Sequence, residues 1–74
     1  MKSTEKSTEI YEYIKDYILK NMYPPSIREI GRAVGLKSTA STYYHILKLE
    51  KNGLITVSDG RISLVGYKII KDEN

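Results

Sequence analysis

The sequence predicts an α+β domain, mainly α, in which three helices precede a two-stranded β-hairpin. Three observations support this fold class. Apolar residues recur at helical spacing over residues 10–18, a helix-capping pattern and a glycine-ended turn occupy residues 26–38, and an Asp-Gly pair at residues 59–60 separates two alternating segments. At 74 residues the chain is expected to form one domain, near the size at which a single core is marginal.

The first helix is predicted from a stripe of apolar and aromatic residues with charged residues between them. The stripe consists of Ile10, Tyr13, Ile14, Tyr17 and Ile18. Thr4 or Ser7 can cap the start of this helix. The Pro24-Pro25 pair prevents it from continuing past about Met22 or Tyr23. The stripe is expected to pack against the two helices that follow.

The second helix is predicted from a capping box. Ser26 can accept from the backbone N–H of Glu29, and the Glu29 carboxylate can accept from the N–H of Ser26, so the helix begins at Ile27. Gly35 supplies the left-handed residue that ends this helix, and Leu36 can close the turn with an apolar contact. A third helix is then expected after only a short turn.

The third helix is predicted over residues 39–52, with Ser38 or Thr39 as its cap and Gly53 as its stop. Winding at about 100° per residue places Thr42, Ile46 and Leu49 on the core side, with His45 at the edge of that side. The rest of the helix faces outward or lies on the flanks. These residues are Ala40, Ser41, Tyr43, Tyr44, Leu47, Lys48 and Lys51.

The hairpin is predicted from period-two alternation on both sides of Asp59-Gly60. The two-residue turn pairs Val57 with Ile62 and Ile55 with Leu64, so their apolar side chains share one face. The whole pattern is typical of a winged helix-turn-helix domain over residues 1–65. For the tail, residues 66–74, an edge strand, a packed segment and a self-association segment all stay open.

Composition excludes several classes of function. There is no cysteine and one histidine, which leaves no cysteine zinc site and no expected metal, and the hydroxyl residues lack a partner base at a catalytic spacing. No cofactor and no enzymatic activity are expected. The apolar runs are too short for a membrane span or a secretory signal, so we expect a cytoplasmic protein. Residues 1–27 are balanced in charge, whereas residues 28–71 carry eight basic and three acidic side chains.

Three segments resemble the N-terminal DNA-binding domain of LexA-type repressors. They are Tyr23-Pro-Pro-Ser-Ile-Arg-Glu-Ile-Gly31, Gly35-Leu-Lys-Ser38 and His45-Ile-Leu-Lys-Leu-Glu-Lys-Asn-Gly-Leu-Ile55, and the resemblance covers about residues 4–65. It implies a bacterial or phage repressor, associated with the nucleoid, that binds palindromic operator DNA as a homodimer. It also implies that helix 39–52 enters the major groove and that base contacts come from Ser38, Ala40, Ser41, Tyr43 and Tyr44.

The basic residues around this helix are candidates for neutralising DNA phosphates, and Arg61 at the wing can flank the minor groove. With the hydroxyl of Thr39, the set is Arg28, Lys37, Thr39, Lys48, Lys51 and Arg61. Each lysine alone is more often a solvated charge, and Arg28 can also have a structural role by pairing with an acid of the first helix. The only partner that this set predicts is double-stranded DNA; no small-molecule substrate is expected.

Two features depart from the LexA pattern. LexA proteins continue into a self-cleaving serine-lysine peptidase domain, whereas this sequence ends at Asn74; Met1 and the charged end favour a free-standing regulator over a piece of a longer protein. The second departure is the pair of tyrosines at base-contacting positions, so the resemblance does not give the operator sequence. They also support an alternative function, in which Tyr43, Tyr44 and Leu47 form an apolar docking patch for a partner protein.

Overall fold

The computed structural model describes residues 6–66, and its element order is the predicted one. The helices are α1 (Lys6–Asn21), α2 (Ile27–Ala33) and α3 (Thr39–Lys51), and the strands are β1 (Ile55–Ser58) and β2 (Arg61–Leu64). The mainly helical α+β fold is therefore confirmed. A cap at Thr4 and the alternatives for residues 67–74 lie outside the described residues.

Helix α1 buries one side, as its apolar stripe predicts. Ile10, Ile14 and Ile18 are buried, whereas Tyr13 and Tyr17 are half-buried at the edges of that stripe. The helix ends at Asn21, slightly before the predicted limit, because Met22 takes a left-handed conformation with φ of 68°. The N–H of Met22 still donates to the C=O of Ile18 at 2.8 Å, which closes the last turn.

Helix α2 begins with the predicted capping box. The N–H of Ser26 donates to Glu29 Oε1 at 2.8 Å, and the N–H of Glu29 donates to Ser26 Oγ at 3.0 Å. After Ala33 the chain turns at Gly35, whose φ is +80°, and the N–H of Leu36 donates back to the C=O of Gly31 at 2.8 Å. These bonds satisfy backbone groups at both ends of a helix of only seven residues.

Helix α3 is capped by Ser38, whose Oγ accepts from the N–H of Ser41 at 3.3 Å. Of the two candidate caps, Ser38 is thus the one used. The predicted core side is also correct, since Thr42, Ile46 and Leu49 are all buried. The helix crosses both α1 and α2, and these contacts hold its other side toward solvent.

The hairpin has the predicted antiparallel register, with Val57 opposite Ile62 and Ile55 opposite Leu64. Asp59 and Gly60 both have positive φ, 53° and 76°, which matches the right-handed twist of a two-residue hairpin. The inward side chains of the hairpin join those of the helices in one cluster. Its buried members are Ile10, Ile14, Ile18, Ile30, Ile46, Leu49, Ile55, Ile62 and Leu64.

Residues 6–66 contain neither a membrane-spanning helix nor a metal-binding cluster of side chains. No helix in this part of the chain is long and apolar enough to cross a membrane. No group of three or more His, Cys, Asp or Glu side chains is placed where it could hold a metal ion.

Candidate nucleic-acid interface

The first two turns of α3 present a continuous exposed face. Because Thr42 and Ile46 fix the opposite side in the core, the side chains of Tyr43 and Tyr44 between them are exposed to solvent. The face contains all five predicted base-contacting residues, Ser38, Ala40, Ser41, Tyr43 and Tyr44. The structure therefore brings them together. Their contacts with bases stay a prediction.

Small side chains occupy the start of this face. Ala40 and Ser41 leave the helix backbone open to close approach, and a hydroxyl at Ser41 can donate or accept. Ser38 already uses an oxygen lone pair as the cap, which leaves its hydroxyl hydrogen for a second partner. Capping and contact with a ligand are thus compatible at this residue.

The paired tyrosines lie next along the face. The exposed fraction is 43% for Tyr43 and 64% for Tyr44, so neither ring is folded into the core. The Tyr44 ring meets the His45 ring edge-on, with centroids 5.3 Å apart. This contact limits the directions that the Tyr44 ring can take while its hydroxyl stays in solvent.

His45 connects α3 to α1. Its ring is half-buried, and Nδ1 lies 3.1 Å from Oγ of Ser7, a buried hydroxyl on the first turn of α1. The sequence predicts Ser7 only as a candidate cap of this helix, which is wrong because Ser7 lies within α1. Nothing in its sequence context indicates the long-range bond to His45. The pair gives His45 a structural role at the base of the exposed face.

Gly31 sets how closely α2 approaches α3. A Cβ atom on Gly31 would lie 2.5 Å from Thr42 Oγ1, so only glycine fits here without movement. The Thr42 hydroxyl itself donates to the C=O of Ser38 at 3.1 Å and cannot easily turn away. A glycine within a predicted helix is the one sequence signal for such an approach.

The predicted phosphate contacts fall into separate groups. Arg28, Lys37 and Thr39 line one pocket between α2 and the start of α3. Lys48 and Lys51 lie on the last turns of α3, and Arg61 follows the hairpin turn. Since α3 rises about 1.5 Å per residue, Lys51 lies about 18 Å along the axis from Thr39.

Arg28 does not take the structural role considered for it. Within the described part of the chain, it makes no ion pair with the acids of α1. Arg32 lines the same pocket, one helical turn further on, and it was not among the predicted site residues. Arg32 and Lys37 line the same pocket because the turn after α2 reverses the chain direction, and no local sequence pattern predicts this arrangement.

A tyrosine cluster forms outside α3. The Tyr17 ring contacts those of Tyr13 and Tyr23, and the Tyr17 hydroxyl donates to the Tyr23 hydroxyl at 3.5 Å. This hydrogen bond raises the pKa of Tyr17 to about 12, and partial burial and the Glu29 carboxylate act in the same direction. The cluster connects α1 to the segment that enters α2.

Comparison with known proteins gives one consistent result. The family model described as the LexA DNA binding domain matches residues 1–62. The LexA repressor of Clostridium novyi is 57% identical over 53 residues, which cover 72% of this chain and 26% of that protein. The LexA repressor of Clostridium botulinum strain Hall is 53% identical over 51 residues, which cover 69% of this chain and 25% of that protein.

The LexA repressor of Listeria welshimeri is similar over a longer stretch. It is 47% identical over 73 residues, which cover 99% of this chain and 36% of that protein. The chain thus spans between a quarter and a little over a third of the length of these relatives.

Proposed function

Because this chain belongs to the LexA DNA-binding domain family, we propose that it is a sequence-specific repressor that binds double-stranded DNA through α3 in the major groove. The observation that supports this function is the exposed face of α3. It combines small residues at the helix start with two solvent-facing tyrosines, on a helix whose other side is fixed in the core. A helix held in this way can enter a groove without losing its packing.

Base contacts are assigned to the start of α3. Ala40 and Ser41 allow the backbone to approach the base edges, and the Ser41 and Ser38 hydroxyls can bond to bases or phosphates. The hydroxyls of Tyr43 and Tyr44 can donate to base acceptors, and their rings can lie against thymine methyl groups. The sequence preference is expected to depend most on the two tyrosines, because their side chains reach furthest.

Phosphate contacts are assigned to the surrounding basic residues. Arg28, Lys37 and Thr39 support one end of α3, and Lys48 and Lys51 support the other. Arg61 lies beside the hairpin turn, where the wing of such domains approaches the DNA backbone or minor groove. Two well-separated groups of cations are suited to the two backbones that border one major groove.

Two copies on a palindromic site are expected. A single module of this size covers roughly 600–1,000 Å² and binds only moderately, so two half-sites about one helical turn apart would supply the missing affinity. The homodimer on DNA is therefore part of the proposal, with cytoplasmic, nucleoid-associated protein as the expected location. We assign no chemical step, cofactor or small-molecule substrate to this chain.

A second function has one observation in its favour. Tyr43, Tyr44 and Leu47 are all exposed, with exposed fractions of 43%, 64% and 42%, and together they offer an apolar patch to a partner protein. Salt dependence separates the two functions, since binding through phosphates weakens steeply with salt and an apolar interface responds little.

The test is selection of bound sequences from a random duplex library at two salt concentrations. We expect a palindromic motif for the wild type, lost or altered in the Tyr43→Ala, Tyr44→Ala double variant. Tyr23→Ala is the matched control, because Tyr23 is likewise 55% exposed but belongs to the segment between α1 and α2 and not to α3. If no motif is enriched, and weak binding does not depend on the two tyrosines, the protein-docking function replaces this proposal.

A further inference from the structure

A pocket of about 400 Å³ opens between α2 and the start of α3. Its lining includes Gly31 of α2 and Thr42 of α3, which are so close that a Cβ atom on Gly31 would lie 2.5 Å from Thr42 Oγ1. Its rim carries three basic side chains, Arg28, Arg32 and Lys37. Of these, Arg28 and Lys37 are predicted from the sequence as phosphate contacts. The volume is within the range of small-ligand sites, but the rim is cationic and not apolar.

None of the three cations is neutralised by residues 6–66. Arg28, Arg32 and Lys37 make no ion pair there, and the neighbouring carboxylate of Glu29 is already bound to the N–H of Ser26. Arg28 and Arg32 are four residues apart on α2, so their side chains leave the helix on the same side. Three like charges around one pocket repel each other and favour an anion between them.

The start of α3 adds neutral donors to the same pocket. The N–H of Ser41 is taken by the Ser38 cap, whereas the N–H groups of Thr39 and Ala40 have no acceptor among the described residues. The Thr39 side chain is exposed and lines the pocket, so its hydroxyl is available as a further donor. Guanidinium, ammonium, hydroxyl and amide donors together suit a tetrahedral oxyanion.

We propose that this pocket is a discrete phosphate-binding site, which holds one phosphate group between Arg28, Arg32, Lys37 and the first turn of α3. The phosphate can come from the DNA backbone or from a free phosphate-bearing anion. The first source rests on the proposed function; the second does not. In either case Arg32 is a binding residue, and occupation of the pocket fixes the position of α3 relative to the phosphate.

The free-anion source is tested on the protein alone, by titration with inorganic phosphate followed through backbone amide NMR signals. We expect saturable shifts of Thr39 and Ala40, at least about 10-fold weaker binding in the Arg28→Gln, Arg32→Gln double variant, and unchanged binding in Lys20→Gln. Chloride at matched ionic strength is the control for general salt effects. If chloride shifts the same amide signals as much as phosphate does, and the shifts do not saturate, the pocket binds no free anion.

The DNA source is tested with the operator found by selection, in which each phosphate is replaced in turn by a neutral methylphosphonate. We expect one position per half-site whose replacement weakens wild-type binding about 10-fold but weakens binding by the Arg28→Gln, Arg32→Gln double variant much less. The salt slope of Arg32→Gln should be smaller by about 0.9.

The outcomes of the two tests are distinct. A DNA phosphate whose replacement weakens binding by the wild type much more than binding by the arginine variant is coupled to the pocket, and it identifies the DNA backbone as the ligand. Saturable phosphate binding without such coupling, or without any selected operator, assigns the pocket to a free anion while the operator hypothesis is judged separately. If an operator is found but neither a coupled phosphate nor saturable phosphate binding is seen, the phosphate site is refuted and the proposed function stands.

Discussion

Replacing Gly31 by alanine should destabilise the domain by separating α2 from α3. The added Cβ would lie 2.5 Å from Thr42 Oγ1, about 0.9 Å short of the 3.4 Å at which ordinary contact begins. Thr42 is fully buried and its hydroxyl is bonded to the C=O of Ser38, so the helices must move apart or this bond must break. Overpacking of this kind costs typically 1–3 kcal/mol.

The local preference of the helix acts in the opposite direction. Alanine in a helix interior is favoured over glycine by roughly 0.5–1 kcal/mol, so the net loss for Gly31→Ala is about 1 kcal/mol and at most about 2.5 kcal/mol. For a domain of this size that corresponds to a fall in Tm of roughly 4–8 °C for each kcal/mol. Thermal and urea unfolding of the purified protein, followed by circular dichroism, measure both quantities.

A double-mutant cycle identifies the cause. Thr42→Ala removes the atom that the new methyl group would meet, so adding Gly31→Ala to that variant should cost little or even stabilise it. We expect a coupling free energy of about 1 kcal/mol or more between the two sites. A Gly31→Ala variant as stable as the wild type, or equal effects in both backgrounds, would refute close packing as the reason for glycine here.

Two further predictions concern other contacts. Tyr23→Phe removes the hydroxyl that accepts from Tyr17, so the pKa of Tyr17 should fall from about 12 toward its ordinary value of 10.0 in a spectrophotometric titration. In the wild type, Tyr17 of the unfolded chain loses its proton at a lower pH than Tyr17 of the folded protein. The free energy of unfolding should therefore decline as pH rises from about 10 to about 12, and this decline should be smaller in the variant. Ser26→Ala removes the cap of α2 and should cost about 1 kcal/mol in urea unfolding, whereas Ser63→Ala, on an exposed strand position, should cost much less; equal losses would contradict the capping argument.

The sequence predicts most of the local structure because the responsible residues are close together in the chain. The capping box joins residues three apart, and the hairpin register follows from one Asp-Gly turn and the alternation around it. The core side of α3 likewise follows from helical periodicity. In each case the interaction that fixes the structure lies within a few residues, so it can be recognised before the fold is known.

The interactions that sequence reasoning missed all join separate elements. The bond between Ser7 and His45 spans 38 positions, and the approach of Gly31 to Thr42 depends on how α2 crosses α3. The place of Arg32 beside Lys37 depends on the same crossing. Helix crossings are determined by the whole core, so no single segment of the sequence contains enough information to specify these contacts.

The packing of α3 therefore links stability to the proposed DNA recognition. The same helix that buries Thr42 and Ile46 carries the exposed tyrosines on its other side, so any movement of its core side also moves the base-contacting face. Gly31→Ala should then weaken operator binding although Gly31 touches no base, and Thr42→Ala should restore much of it. By contrast, Tyr44→Ala should weaken binding while leaving Tm nearly unchanged, because 64% of that residue is already exposed. If Gly31→Ala lowered Tm without any effect on operator affinity, the position of α3 would not depend on its packing against α2.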